Sequence, residues 1–296
     1  MCCSAIQQPC PQCGLEKLAM KNTFKLLLLW LALSGISCPN AAEINAPSVE
    51  TIIARSNHAS LYQGKDCQGT MSMTITDSQG RTRKRQFNIL RKNGDTQDRE
   101  QKYFVYFIEP SDVRKMVFMV HKHVEAGKDD DRWLYMPSLD LVKRIAASDK
   151  RTSFAGSDFL YEDISGRSIE EDNHSLVETT DKFYIVKNTP KKPHSVEFSF
   201  YIARIDKRTF IPMEIEYFKN EGKLYRTVVV SEVQPVATVE GGKQISYPTV
   251  VRSLAKDIES GSQTEMIFTN PRYNADLADD LFTERYLRRA PKEVLH

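Results

Sequence analysis

From Met71 onward apolar and polar residues alternate, with Met71, Met73 and Ile75 interleaved with Ser72, Thr74 and Thr76. A period of two predicts a strand with one covered face. Before it, Ser48 can cap a helix over 48–60, where Val49, Ile52, Ile53 and Ser56 share one stripe at helical spacing. After the turn Asp77-Ser78-Gln79-Gly80, Phe87 and Ile89 share a face of a strand over 83–90, and Asn93-Gly94 signals a hairpin. The run 102–109, with Tyr103-Phe104-Val105-Tyr106-Phe107-Ile108, is apolar on both faces. It predicts a central strand covered on both sides, stopped by Pro110. Further strands read at 115–121, 131–136, 182–187, 194–205, 212–219, 224–233, 246–256 and 263–269.

Turn residues such as Asn220-Glu221-Gly222, Gly241-Gly242 and Ser260-Gly261 separate these runs. Such short connections demand antiparallel neighbours. The expected fold is mainly β with a few helices: roughly eleven antiparallel strands in one domain, making a strongly curved meander or an open barrel. Residues 138–172 break the strand rhythm, and a long excursion from an antiparallel sheet plugs or lids its open face.

The first forty residues change the charge arithmetic. Leu26–Leu33 is the longest apolar run, with Lys21 and Lys25 before it and Ser34-Gly35-Ile36-Ser37 after it. That arrangement is an export signal, too short to span a membrane as a helix. The expected division is a signal segment over 1–42, with 1–19 an extended leader or start-site artefact, and one domain over 43–296. Lipid anchoring at Cys38 is the alternative to a soluble product. The segment holds three Lys and one Glu, so the 41 basic and 39 acidic residues of the chain fall to 38 each. It also holds five of the six cysteines, leaving Cys67 alone and no internal disulfide. Neutral charge argues against a nucleic-acid partner, and 41% hydrophobic residues argue against disorder.

Candidate chemistry is sparse. Ser157 follows Gly156 without the nucleophile-elbow pattern, and no Gly-rich phosphate cradle occurs. His121 and His123 share a strand face near Asp129–Asp131, which permits a metal but reads more simply as a polar strand edge. Glu162-Asp163 and the Glu214, Glu216 pair read as surface or hinge residues, and no cofactor or catalytic group is expected. Arg81–Arg85 reads as a solvated hairpin arm, with an acidic partner or lipid headgroups as the alternative. What stands out is a set of soft and aromatic side chains on strands: Met71, Met73, Phe87, Tyr106, Met119, Trp133, Tyr135, Phe198, Phe200, Met213 and Met266. They either fill a core or line an apolar cavity suited to acyl chains, and alternation alone does not choose.

Three stretches carry a family resemblance. They are Trp133-Leu134-Tyr135-Met136-Pro137 with Lys143-Arg144-Ile145; Ser153-Phe154-Ala155-Gly156-Ser157-Asp158-Phe159-Leu160-Tyr161-Glu162-Asp163; and Ile205-Asp206-Lys207-Arg208-Thr209-Phe210-Ile211-Pro212 with Leu281-Phe282-Thr283. The chain resembles the outer-membrane lipoprotein-sorting proteins, distant relatives of the periplasmic lipoprotein carrier LolA. Ala155 stands where many members have a bulkier Met. The resemblance implies a bent, incomplete barrel with helices over its mouth, a cavity for the acyl chains of a lipid or lipoprotein, and no catalysis. It also implies a periplasmic location, an inner-membrane transporter of the resistance-nodulation type as neighbour, and an outer-membrane acceptor. A lid is expected over 138–164, with Lys143, Arg144, Phe154, Gly156, Ser157, Asp158, Phe159, Tyr161, Glu162 and Asp163 as its signature. Asp158, Glu162 and Asp163 would fix it through Arg144, Lys143 or backbone, or else cap a short helix. A non-shuttling lipid sensor or an accessory subunit of an export complex is the alternative role.

Overall fold

The computed structural model describes residues 46–125 and 128–295; the expected signal segment and Cys38 lie outside them. Thirteen strands among the described residues form one antiparallel sheet. The first meander runs β1 (Asp66–Thr76), β2 (Thr82–Asn93), β3 (Glu100–Glu109), β4 (Val117–His123), β5 (Asp131–Met136) and β6 (Leu141–Arg144). The second runs β7 (Asp172–Thr179), β8 (Phe183–Pro190), β9 (Phe200–Asp206), β10 (Pro212–Phe218), β11 (Leu224–Glu240), β12 (Lys243–Asp257) and β13 (Ser262–Tyr273). They join where β1 pairs with β13, Met73 opposite Met266. β6 and β7 are the two free edges, so the sheet is not closed into a barrel.

This topology fixes the path of the long connection. Residues 145–171 leave one edge and must reach the other, and they travel over the inner face. Phe154 anchors them there, only 1% exposed, with its ring centroid 5.6 Å from both Phe87 and Phe107 and 5.7 Å from Phe118. Burying such a ring contributes roughly 1.5–3 kcal/mol. Phe159 and Tyr161, which opens the short helix α2 (Tyr161–Ser165), join the same cluster. Gly166 follows at φ +78°, where a Cβ would run into Leu61, so the turn out of this helix needs glycine.

Strand β3 is covered on both sides, as its pattern requires. Tyr103, Val105 and Phe107 face inward. Phe104 faces outward with Leu90, Val117, Met119, Trp133 and Tyr135, beneath Leu277, Leu281, Phe282, Leu287 and Val294 of the C-terminal segment. The buried carboxylate of Asp66 pins that segment by accepting from Ala275 N at 2.6 Å and Leu277 N at 2.9 Å.

The N-terminal helix α1 (Val49–Asn57) is capped by Ser48, whose hydroxyl accepts from Thr51 N at 3.3 Å. Its Ile52 and Ile53 pack on Tyr184, Val186, Ala203 and Ile205 of β8 and β9. The helix was expected to run to residue 60; instead it gives way to a π-helical turn, His58–Tyr62. Arg91 and Gln101 donate to Leu61 O, and Asn93 donates to Tyr62 O and Gly64 O, holding the end of that turn.

Three expectations change. Strands β6 and β7 escape the sequence pattern because both are edges: β6 has four residues with Lys143 and Arg144 exposed, and β7 is exposed over most of its length. The strand expected at 194–205 begins only at Phe200, because Pro193–Ser195 forms a 3-10 turn. The lid expected over 138–164 starts at residue 145, since Leu141–Arg144 pairs with β5. Lys143 and Arg144 are therefore sheet residues. The Arg144 guanidinium lies 4.8 Å over the Trp133 ring and pairs with Asp131.

Candidate functional site

The two halves of the inner face are filled differently. Across β2–β4 the aromatic rings of Phe87, Phe107 and Phe118 meet Phe154 and close the space. Across β9–β13 short inward residues, among them Ala203, Ile215, Val228, Val230, Val251 and Ser253, stand between the larger Tyr201, Tyr217 and Phe268. Close packing is the rule in protein interiors, so a row of short side chains without a bulky partner leaves a void. A cavity of about 430 Å³ results. It is within the roughly 300–1,000 Å³ range of small-molecule pockets. Met71, Ile89, Met266 and Phe268 form its wall toward β1 and β13, Ile53 and Ala59 its wall at the N-terminal helix, and Phe159 and Ile164 its cover.

One rim is ionic. Glu162 of the cover segment is 3% exposed. It pairs with Arg151, with Lys150 Nζ at 3.2 Å and with Arg167 at 3.3 Å. Arg167 also grips Asp172 with two bonds of 2.9 Å, and Tyr201 donates to the same carboxylate at 2.9 Å. Arg151 forks onto Glu197 with two 2.7 Å bonds and lies 4.7 Å over the Phe198 ring. Asp163 pairs with Arg226 of β11 and accepts from Leu160 N at 2.7 Å, capping the α2 turn. Burial pushes the Glu162 carboxyl up, but Arg151, Arg167 and Lys150 outweigh it and hold its pKa at about 2. Glu162 thus gathers the cover segment on itself, and Glu197, Asp172 with Tyr201 of β9, and Arg226 of β11 tie it to the sheet.

The lid-signature residues divide between fastening and packing. Asp158 accepts from Thr264 Oγ1 at 2.6 Å and from Ser262, and its carbonyl accepts from Arg226 at 3.1 Å. Ser157 donates to Phe154 O at 2.7 Å and shapes the turn around Gly156. Phe154 and Tyr161 are packed core, while Phe159, Glu162 and Asp163 reach the cavity. The partners expected for the carboxylates, Lys143 and Arg144, take no part. Arg151, Arg167 and Arg226 take their place, contributed by the cover segment itself and by β11.

Of the strand residues singled out as cavity candidates, the structure brings Met71, Phe87 and Met266 to the void. The rest are elsewhere. Met73 is fully buried in the packed half. Tyr106, Met119, Trp133 and Tyr135 belong to the outer face, under the C-terminal segment. Phe198 is a platform for Arg151 off the strand, and Phe200 stacks on Phe218 at 4.8 Å. Met213 falls in the irregularity between Pro212 and Glu214 in the β9–β10 pairing. A strand apolar on both faces shows that both are covered but not which is concave, so large residues attract attention on the wrong side. The lining of β9–β13 was missed because its residues are unremarkable singly. Their signal is the alternation of Arg226, Val228 and Val230 without an aromatic.

The histidines are occupied by the fold. His121 Nε2 lies 2.8 Å from Phe282 O, and His123 Nε2 lies 3.3 Å from Asp131. Among the described residues no three His, Cys, Asp or Glu side chains group as metal ligands. Cys67 is buried on the cavity wall, and burial raises its thiol to about 11, the opposite of an activated nucleophile.

A DUF1329-like family model, described as that of an uncharacterized protein, matches residues 99–289. No curated protein matches the sequence. Among solved structures, a DUF1329 family protein from Desulfovibrio piger is 25% identical with a TM-score of 0.71, over 82% of this chain and 100% of that one. An outer membrane lipoprotein-sorting protein domain from Vibrio parahaemolyticus is 24% identical with a TM-score of 0.68, over 80% of this chain and 97% of that one. A LolA superfamily protein from Nitrosomonas europaea shares the fold at 18% identity, with a TM-score of 0.60 over 81% of this chain and 100% of that one. With its model spanning residues 99–289 and an open, bent sheet of the LolA kind, the chain belongs to the DUF1329-like family.

Proposed function

We propose that this protein is a carrier that takes the acyl chain of a lipid or lipoprotein into the cavity beneath residues 145–171. The observation that carries this reading is the void itself: the β9–β13 half of a bent sheet, where short apolar side chains between larger ones leave space unfilled. Each methylene moved from water into such a space contributes about 0.8 kcal/mol, so ten would give roughly 8 kcal/mol, a dissociation constant near 1 µM. The likeness to the Vibrio lipoprotein-sorting domain and the Nitrosomonas LolA superfamily protein agrees with it. In this reading the protein acts in the periplasm, without catalysis. It receives cargo from an inner-membrane transporter of the resistance-nodulation type and yields it to an outer-membrane acceptor. Release needs an acceptor that binds the tail better than the cavity does, since burial alone would trap it.

The cover segment is the part that moves. Its ionic contacts to Arg226 of β11 and to Glu197 just before β9 can separate as a unit, while Phe154 holds its other end in the aromatic cluster. Native mass spectrometry of protein isolated from its own cell envelope tests the proposal. The expected result is a lipid-sized mass increment, removed by delipidation and restored by vesicles. Protein that stays empty after incubation with vesicles contradicts it. Movement of labelled lipid from donor to acceptor vesicles separates a shuttle from a stationary sensor.

A further inference from the structure

A second, smaller cavity of about 270 Å³ adjoins the first, and Asn57 and Ile169 stand in the walls of both. Its chemistry is different. Lys122 at the end of β4 lines it and is only 3% exposed. Among the described residues the ammonium has one hydrogen-bond partner, Gly166 O, and no carboxylate pairs with it. The nearby Asp130 is taken by Arg132 at 2.5 Å. Tyr62 also lines the cavity, is 1% exposed, and its hydroxyl has no partner among the described residues. Two acids stand in the wall as well: Asp98 is engaged with His58 at 2.8 Å, and Glu170 is exposed.

A buried cation with no paired carboxylate and a buried hydroxyl with no acceptor are costly to keep, and such groups are ordinarily matched. Both are donors here, and both sit where a π-helical turn, a rare element concentrated at functional sites, ends against the sheet. The geometry points to a subsite for an anionic oxygen headgroup, a phosphate or carboxylate, whose tail occupies the adjoining larger cavity. The inference rests on the acyl-chain reading for its tail and on Lys122 and Tyr62 for its head. Burial lowers the Lys122 pKa, and a bound anion would restore its preference for the charged form.

Titrations with 1-palmitoyl lysophosphatidate and with 1-palmitoylglycerol, which has the same tail and no phosphate, test it at fixed ionic strength. The intact protein should prefer the phosphate-bearing lipid by roughly ten-fold or more, as expected for a hydrogen bond to a charged group. Lys122→Met, which keeps the length and drops the charge, should erase the preference without changing affinity for palmitoylglycerol. Tyr62→Phe should reduce the preference and serves as the check if Lys122→Met does not fold. Equal affinity of the intact protein for both lipids, or a preference that survives in both variants, overturns the subsite. If neither lipid binds, the acyl-chain reading fails, and inorganic phosphate alone decides the rest. Thermal stabilisation of the intact protein but not of the variants would leave a free-anion site; no stabilisation would overturn this too.

Discussion

Glu162→Gln should cost about 3–5 kcal/mol of stability, because it leaves Arg151, Arg167 and Lys150 buried around a neutral amide. For a domain of this size that is a fall of roughly 10 °C in the unfolding midpoint. The pH dependence follows from the same site. The Glu162 carboxyl is held at about 2 in the folded protein against an ordinary 4.5. Its contribution is therefore fully present above pH 4.5 and is lost as pH falls from there toward 2. Linkage puts it at about 3 kcal/mol. Denaturant unfolding of the two proteins between pH 7 and pH 3 checks both parts. The gap should be widest at neutral pH and narrow in acid. A gap that is below ~0.5 kcal/mol at pH 7, within the range of an ordinary surface change, would mean that Glu162 does not fasten the cover segment.

Filling the void should abolish binding and spare the fold. Val228 on β11 and Ile215 on β10 are partly buried and line the cavity. Val228→Trp or Ile215→Trp places an indole where the tail would lie. If that displaces four methylenes, binding weakens by about 3 kcal/mol, somewhat more than 100-fold. The folded structure already has room, so the unfolding midpoint should move by only a few degrees. Met73→Trp is the matched control, since Met73 is fully buried in the aromatic half and has no space beside it. Overpacking there costs about 1–3 kcal/mol. Fluorescent fatty-acid displacement combined with thermal melts compares the three. Equal destabilisation by all of them would make the β9–β13 half packed core and remove the cavity from the account.

The contrast between Val228 and Met73 also shows how far the sequence carries. Alternation identified most strands, and the two-sided run at 103–108 correctly demanded cover on both faces of β3. The family resemblance supplied the open sheet, which alternation could not: nothing local in Lys143 or Leu176 reveals that β6 and β7 never meet. The candidate site was less legible, because a cavity is a property of what is missing. Met71 and Met266 stood out by chemistry, and both reach the void. Met119 and Trp133 stood out equally and lie on the far side of the sheet, beneath Leu281 and Phe282. The ionic rim was invisible for a related reason. Arg226 is 63 residues from Asp163, and Arg151 lies 46 from Glu197, so no spacing rule connects them.

The most direct measurement is methyl NMR on protein loaded with 13C-labelled palmitate. Intermolecular contacts should join the tail to methyl groups of Ile205, Ile215, Val228 and Val251, which surround the space between β9 and β12. A tail that touches only Leu277, Leu281 and Leu287 on the outer face, or no methyl group at all, would contradict the claim that this bent sheet encloses its ligand.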